Sequence, residues 1–395
     1  MTTAKFSLQT INLNASFSIG FRPLYLLATL WAICSVSVWV FAPAAVNLPL
    51  SGMYWHAHEM LWGFIGTIAV GFLLTASATW TGINPLFGRP LALLCLVWLA
   101  SRLLFFIGGT SNVLTAAALD SLFYLAAAIA IARSVILSKN WRNLMMPVML
   151  IFLAATQFLF AHFATTYQVA AMWQSFNVAW LVMAVISLLI SSRVIPFFTQ
   201  RRLPNATIAL LPALQPALLL IGVIAIVALC VSATWLTALA LLAASGIVAY
   251  QLKRWYHPTM WQEPLLWILH IGYACIGLGL FTAAIYFGQD ILGITMRLAT
   301  PIHVIGVDGF AVLIIGMLVR TSQGHLGLAL STTTSLRIGF YCMIACAALR
   351  IVALWPSPVA LPSLHLSTLF WALSLGIYLC YFSLRLLSPR PDGKV

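Results

Sequence analysis

The stretch Tyr54-Trp55-His56-Ala57-His58-Glu59-Met60-Leu61-Trp62-Gly63-Phe64 places two histidines and a glutamate at the mouth of a long apolar segment. From Ile65 to Thr81 no ionisable side chain follows. The same scarcity holds along the chain: 63% of residues are hydrophobic, 6% are charged, and the mean hydropathy is +1.05. Soluble domains carry about 25% charged residues. No soluble fold hides that much apolar surface, so the chain reads as an all-α, polytopic membrane protein. A bilayer makes each ionisable side chain expensive. A His-His-Glu cluster at its edge therefore needs a reason, either a functional site or an anchor for a helix end.

Segments of about 20 residues suffice to span a bilayer, and twelve can be laid down, near 21–43, 55–80, 89–108, 113–137, 144–164, 170–196, 207–231, 233–252, 263–287, 295–320, 335–354 and 364–387. The breaks fall at Pro43 and Pro49, Gly82-Ile83-Asn84-Pro85, Gly108-Gly109, Pro204-Asn205, and Pro356 and Pro358. The whole chain, 1–395, reads as one integral membrane domain without a cleavable signal sequence. With both termini in the cytoplasm, sixteen of the nineteen Lys and Arg residues face inward, Lys5 and Lys394 among them. Arg297 and Arg350 face outward, and Arg102 lies within the third span. The net charge of +13 is then a topology signal and a contact for anionic lipid at the cytoplasmic face. It is not a nucleic-acid footprint, because no basic stripe is interleaved with exposed aromatics. Seven cysteines are scattered in apolar segments and no C-x-x-C-H occurs, which excludes covalent c-type haem attachment.

This topology sorts the eight histidines by depth. His56, His58 and Glu59 at the start of the second span, His162 at the end of the fifth, and His303 in the tenth share an outer layer, with Asp308 deeper. With the tenth span starting near 295, His303 lies about 12 Å below its outer end. His270 and His325 lie in the inner half; a continuous helix separates His303 from His325 by about 33 Å, so they cannot serve one metal. His257 and His365 read as interfacial. On a helix His56 and His58 point about 200° apart. Either His58 serves a different neighbour, or the helix begins near it and His56 folds over from the loop. His56, Glu59, Gly63 and Thr67 form a polar and small stripe suited to the bundle interior. The row His270, Ala274, Gly277 and Ala284 admits a flat macrocycle or close helix packing. Trp55, Trp62, Trp173 and Trp355 read as an aromatic belt.

A histidine from each of two helices is the usual support for non-covalent haem b in a bundle, and imidazole also suits copper. The outer layer therefore predicts His303 as a haem ligand paired with His56 or His58. His162 and the spare histidine are left for copper. Arg297 is the expected propionate partner. Glu59 would orient an imidazole or receive protons, with Asp308 and Arg102 as proton-path or supporting groups. An inner site, separable from the first, would use His270 and His325 with Arg193, Arg320 or Arg337.

Six motifs carry a more specific signal: Gly20-Phe-Arg-Pro-Leu-Tyr25, Trp55-His-Ala-His-Glu-Met60 followed by Trp62-Gly-Phe64, Gly71-Phe-Leu-Leu-Thr-Ala76, Arg193-Val-Ile-Pro-Phe-Phe198, His270-Ile-Gly-Tyr273 and His303-Val-Ile-Gly-Val-Asp-Gly-Phe310. Together they resemble the NnrS family of bacterial membrane proteins over nearly the whole chain. The resemblance implies a twelve-helix inner-membrane protein that binds haem and copper. It also implies a role in nitric oxide metabolism and protection against nitrosative stress during denitrification. Nitric oxide or a related small molecule is the implied partner; whether it is turned over, sensed or only bound stays open. Histidines on the second and tenth spans also parallel the haem-copper oxidases, as a fold-level analogy. The adjacent His-His pair and the His-x-x-x-Tyr of their copper site are absent, which argues against oxygen reduction. Gly63-Phe64 and Gly309-Phe310 could mark a remnant repeat. The alternative from another class is a proton-coupled transporter using Glu59, Arg102, His303 and Asp308.

Overall fold

The structure is a computed structural model and describes residues 11–391; Lys5 and Lys394, counted above among the inward charges, lie outside them. The long helices are α1 Phe21–Phe41, α2 Gly52–Thr81, α3 Arg89–Ile107, α4 Thr110–Leu137, α5 Met145–Thr165, α6 Val169–Arg202, α7 Leu214–Cys230, α8 Thr234–Trp255, α9 Pro264–Phe287, α10 Ala299–His325, α11 Thr334–Val352 and α12 Ala360–Leu387. Among the described residues there is no strand, and eleven helices are long and apolar enough to cross a membrane. The protein is therefore a multi-pass, all-helical membrane protein. The exception is α7, whose 17 residues fall short of the span expected over 207–231. Pro212 disfavours helical geometry in the residue before it, so the helix is delayed to Leu214.

Two other boundaries move in ways that matter. The helix carrying the His-Ala-His element begins at Gly52, ahead of both histidines, so His56 does not fold over from a loop. Helix α10 begins at Ala299 and ends at His325, later at both ends than the expected 295–320. His303 thus sits in its first turn or so, about 6 Å from the helix start rather than 12 Å.

Burial separates inner from outer helices. The most apolar windows of α2, α6 and α10 are 89%, 83% and 67% buried, against 33–61% for the other spanning helices. Consecutive helices from α3 to α10 pack on one another, α11 packs on α12, and α12 returns to α1. Helix α2 touches α1, α4, α5, α6 and α10 from inside this ring. Close approach of α9 to α10 depends on Gly272, where a Cβ would fall 2.6 Å from the backbone nitrogen of Leu313. The tryptophans do not form one belt: Trp55 and Trp62 are buried inside the bundle, while Trp355 is exposed.

Both α2 and α10 carry an eight-residue π-helical segment, Glu59–Gly66 and Val304–Ala311. Each starts immediately after a histidine, His58 and His303, and the two segments touch. Gly63-Phe64 and Gly309-Phe310 fall inside them, so the paired motif noted in sequence corresponds to a shared structural feature. Such segments inside α-helices are rare and are found frequently at functional sites. The wider turn in α2 leaves carbonyl groups to be satisfied from the side. The Tyr124 hydroxyl donates to the Trp62 carbonyl at 2.6 Å and the Thr67 hydroxyl donates to it at 3.2 Å.

Candidate functional site: an imidazole pair in a cavity between α2 and α10

A cavity of ≈490 Å³ opens among α1, α2, α6, α10, α11 and α12, with Trp39, His56, Trp173, His303, Cys346 and Arg350 in its walls. The first turns of α2 and α10 bring two histidines to it. The His56 and His303 rings lie 6.4 Å apart, centre to centre, with their planes within 14° of parallel. Trp39 of α1 stacks on His56 at 3.8 Å. That contact fixes the plane of the His56 ring while its Nδ1 is buried without a hydrogen-bond partner.

The His303 ring is oriented from both ends. Its Nδ1 lies 2.7 Å from the Ala299 carbonyl, which can only accept, so the proton is on Nδ1 and Nε2 carries the lone pair. Arg350 of α11 donates to that Nε2 at 2.9 Å. Arg350 also lies over the Trp39 ring, 5.8 Å from its centre. Arg297, the arginine expected here, is exposed and precedes the helix, and it does not line the cavity. The later start of α10 explains the exchange: Arg297 no longer sits on the same helix above His303, and its place is taken from α11.

His58 turns away from this cavity. Its Nδ1 lies 2.9 Å from Glu59 Oε1, and its Nε2 lies 4.0 Å from Asp120 Oδ2 of α4. Arg102 of α3 bridges the two carboxylates, 2.9 Å from Glu59 and 2.5 Å from Asp120. The Trp31 indole donates to Glu59 Oε2 at 2.5 Å. All four ionisable side chains are 0% exposed. The polar stripe expected from helical spacing is therefore split: His56 faces the cavity and Glu59 joins His58 in an ion network behind it. On an ideal α-helix His56 and Glu59 lie about 60° apart, enough for the two side chains to reach different neighbours. Gly63 makes room for the network, since a Cβ there would lie 2.6 Å from Glu59 Oε2 and 2.8 Å from Arg102 Nη1.

The remaining sequence candidates are dispersed. His162, in the last turn of α5, lies tilted against Phe163 at 5.6 Å and does not line the cavity. Asp308 has a buried Oδ1 without a hydrogen-bond partner. His270 is buried, with Nδ1 3.0 Å from the Leu266 carbonyl of its own helix. Its small-residue row serves helix packing: Gly277 lies against Val248, and its carbonyl accepts from Ser245 of α8. His325 tilts on Phe21 at 5.5 Å. Arg320 lies over Phe198, Arg193 is held by Gln215 and Asn143, and Arg337 bonds locally to Thr332. Among the described residues no three His, Cys, Asp or Glu side chains converge as metal ligands. Sequence reasoning missed Asp120, although a lone carboxylate inside an apolar span was a sufficient signal. It also missed Trp39, for which a tryptophan in an apolar helix offers none.

The sequence model of one family, described as NnrS protein, matches residues 15–390. No curated protein matches the chain.

Proposed function

The chain belongs to the NnrS family, and we propose that it is a haem-binding protein of the bacterial inner membrane that engages nitric oxide, or a related small molecule, between α2 and α10. Its role would lie in nitric oxide metabolism and nitrosative-stress resistance. The observation that carries this reading is the near-parallel His56–His303 pair. One iron would need a nitrogen from each imidazole about 4 Å apart; ring centres 6.4 Å apart put His56 and His303 in range of a shared group. The proton on His303 Nδ1, donated to a backbone carbonyl, is the usual support for a ligating imidazole. Arg350 on the same wall is the cation that a propionate requires, and in taking one it would release His303 Nε2. A cavity of ≈490 Å³ lies within the roughly 300–1,000 Å³ range of ligand and cofactor sites. When bound, haem would supply an iron that exchanges electrons and that takes a diatomic ligand where one of the two imidazoles gives way.

The residues do not fit copper equally well. His56 and His303 are already assigned, His58 is engaged with Glu59, and His162 is away from the cavity. Among the described residues no third His, Cys, Asp or Glu donor converges with His56 and His303, and copper takes no part in this reading. The transporter reading is also less well supported. Glu59 and Arg102 are locked in the buried network, while His303 faces the cavity, so the residues it needs do not line one path.

The test is to purify His56→Ala, His58→Ala and His303→Ala and measure absorption spectra and metal content. His56→Ala and His303→Ala should lose the haem signal and His58→Ala should keep it. A full haem complement in His303→Ala would refute the pairing. We further propose that both termini face the cytoplasm, with the basic loops at Lys139 and Arg201 against anionic lipid; labelling of either loop from outside intact cells would overturn this.

A further inference from the structure

A second, smaller chamber, partly open to the outside of the bundle, lies beside the imidazole cavity. Its volume is ≈70 Å³, and it is walled by α1, α2, α6 and α10. No ionisable carboxylate, histidine, lysine or arginine lines it. Apart from the hydroxyls of Tyr25, Ser187 and Ser191, the wall is hydrocarbon and the thioethers of Met183 and Met317. A wall so largely hydrocarbon favours an uncharged guest, and the three hydroxyls, that of Tyr25 without a hydrogen-bond partner, are the side-chain groups there that could hold a water. The chamber is far below the roughly 300 Å³ at which organic ligand sites begin.

The two chambers share Ile65 and Phe310 as a common wall. Ile65 belongs to the π-helical segment of α2 and Phe310 to that of α10. Both side chains are buried, and the segments that carry them touch. The partition is thus built from the two least regular stretches of the two inner helices.

We propose that the inner chamber holds small uncharged gas molecules in transit, and that Ile65 and Phe310 form the passage between it and the imidazole cavity. Its guest is a diatomic gas or an atom of similar size, recognised by size and by lack of charge. Dispersion contacts with a closely fitting apolar wall supply the affinity, and a charged or strongly hydrated solute is rejected because it finds no partners. The proposal goes beyond the cofactor reading and does not depend on it, since it needs only the two chambers and their wall.

Xenon is the probe, used with purified full-length protein whether or not haem is present. Anomalous scattering from xenon-pressurised crystals of the unsubstituted protein should place a xenon atom between Ser187, Met183 and Leu313. Ser187→Leu should abolish that site and leave any xenon in the outer cavity. Phe310→Ala should merge the two chambers and speed xenon exchange in solution by roughly tenfold or more, the equivalent of about 1.4 kcal/mol in barrier. Absence of xenon from the inner chamber of the unsubstituted protein, or ordered water in its place, overturns the proposal even if neither variant folds. Unchanged exchange in folded Phe310→Ala overturns the passage. A protein that takes xenon in this chamber but gives no haem spectrum when titrated with haem would sink the cofactor reading alone.

Discussion

Arg102→Met tests whether the buried ion network is as tightly coupled as its geometry indicates. Arg102 lies 2.9 Å from Glu59 and 2.5 Å from Asp120, and all three side chains are 0% exposed. Methionine roughly keeps the length of the side chain and its packing near Phe105, but removes the cation. Removing one partner of a buried ion pair costs about 3–5 kcal/mol, because the other charge is left uncompensated. Two carboxylates are involved here, but they are not equally stranded. Glu59 keeps His58 at 2.9 Å and the Trp31 indole at 2.5 Å. Asp120 keeps only the longer 4.0 Å approach of His58 among its ion pairs. The cost should therefore fall mainly on Asp120, and the total should be about 3–5 kcal/mol rather than twice that. Asp120→Asn in the Arg102→Met background should return part of the loss, with a coupling of at least about 2 kcal/mol in the double-mutant cycle. The assay is equilibrium unfolding of the detergent-solubilised protein in an SDS titration, followed by circular dichroism. The reasoning fails if Arg102→Met stays within about 1 kcal/mol of the unsubstituted protein, or if the two substitutions are additive within roughly 0.5 kcal/mol.

Tyr124→Phe removes the 2.6 Å donor to the Trp62 carbonyl and leaves Thr67 at 3.2 Å; it should cost about 1 kcal/mol in the same titration, and no loss would mean that the π-helical carbonyl is satisfied without it. Gly272→Ala places a Cβ 2.6 Å from Leu313 backbone, which cannot yield without parting α9 from α10, so a loss of about 1–3 kcal/mol is expected. Gly246→Ala, with open space around its Cβ, is the control and should be neutral or slightly stabilising. Trp39→Ala removes the 3.8 Å stack on His56; at about 0.5–1.5 kcal/mol for a stacked pair, haem titration of the apoprotein should show affinity reduced by up to roughly tenfold. Unchanged affinity would show that the stack does not position the ring.

Hydropathy is a property of a local window, and it was enough to identify a multi-pass helical protein, to locate eleven of its spanning helices and to single out His56, His58, Glu59 and His303 as charges that a membrane interior would not carry idly. Punctuation by proline was local too, and Pro212 could have warned that the seventh helix would start late. What hydropathy could not convey was direction. His56 and His58 are two residues apart and point to different sites, as the roughly 200° between them on an α-helix requires, but spacing could not say which neighbour each would meet. Nor could spacing along one helix choose between Arg297 and Arg350. They are separated by a helix start and a packing contact from α11, and only the folded bundle places the second against His303. Asp120 meets Arg102 and His58 through the packing of α4 on α3 and α2. The chain's composition determined by itself that the few charged groups had to find partners, since an isolated charge in hydrocarbon is too costly to keep. Tertiary packing alone decided which partners those were, because charge pairing acts across helices that are close in space and distant in sequence.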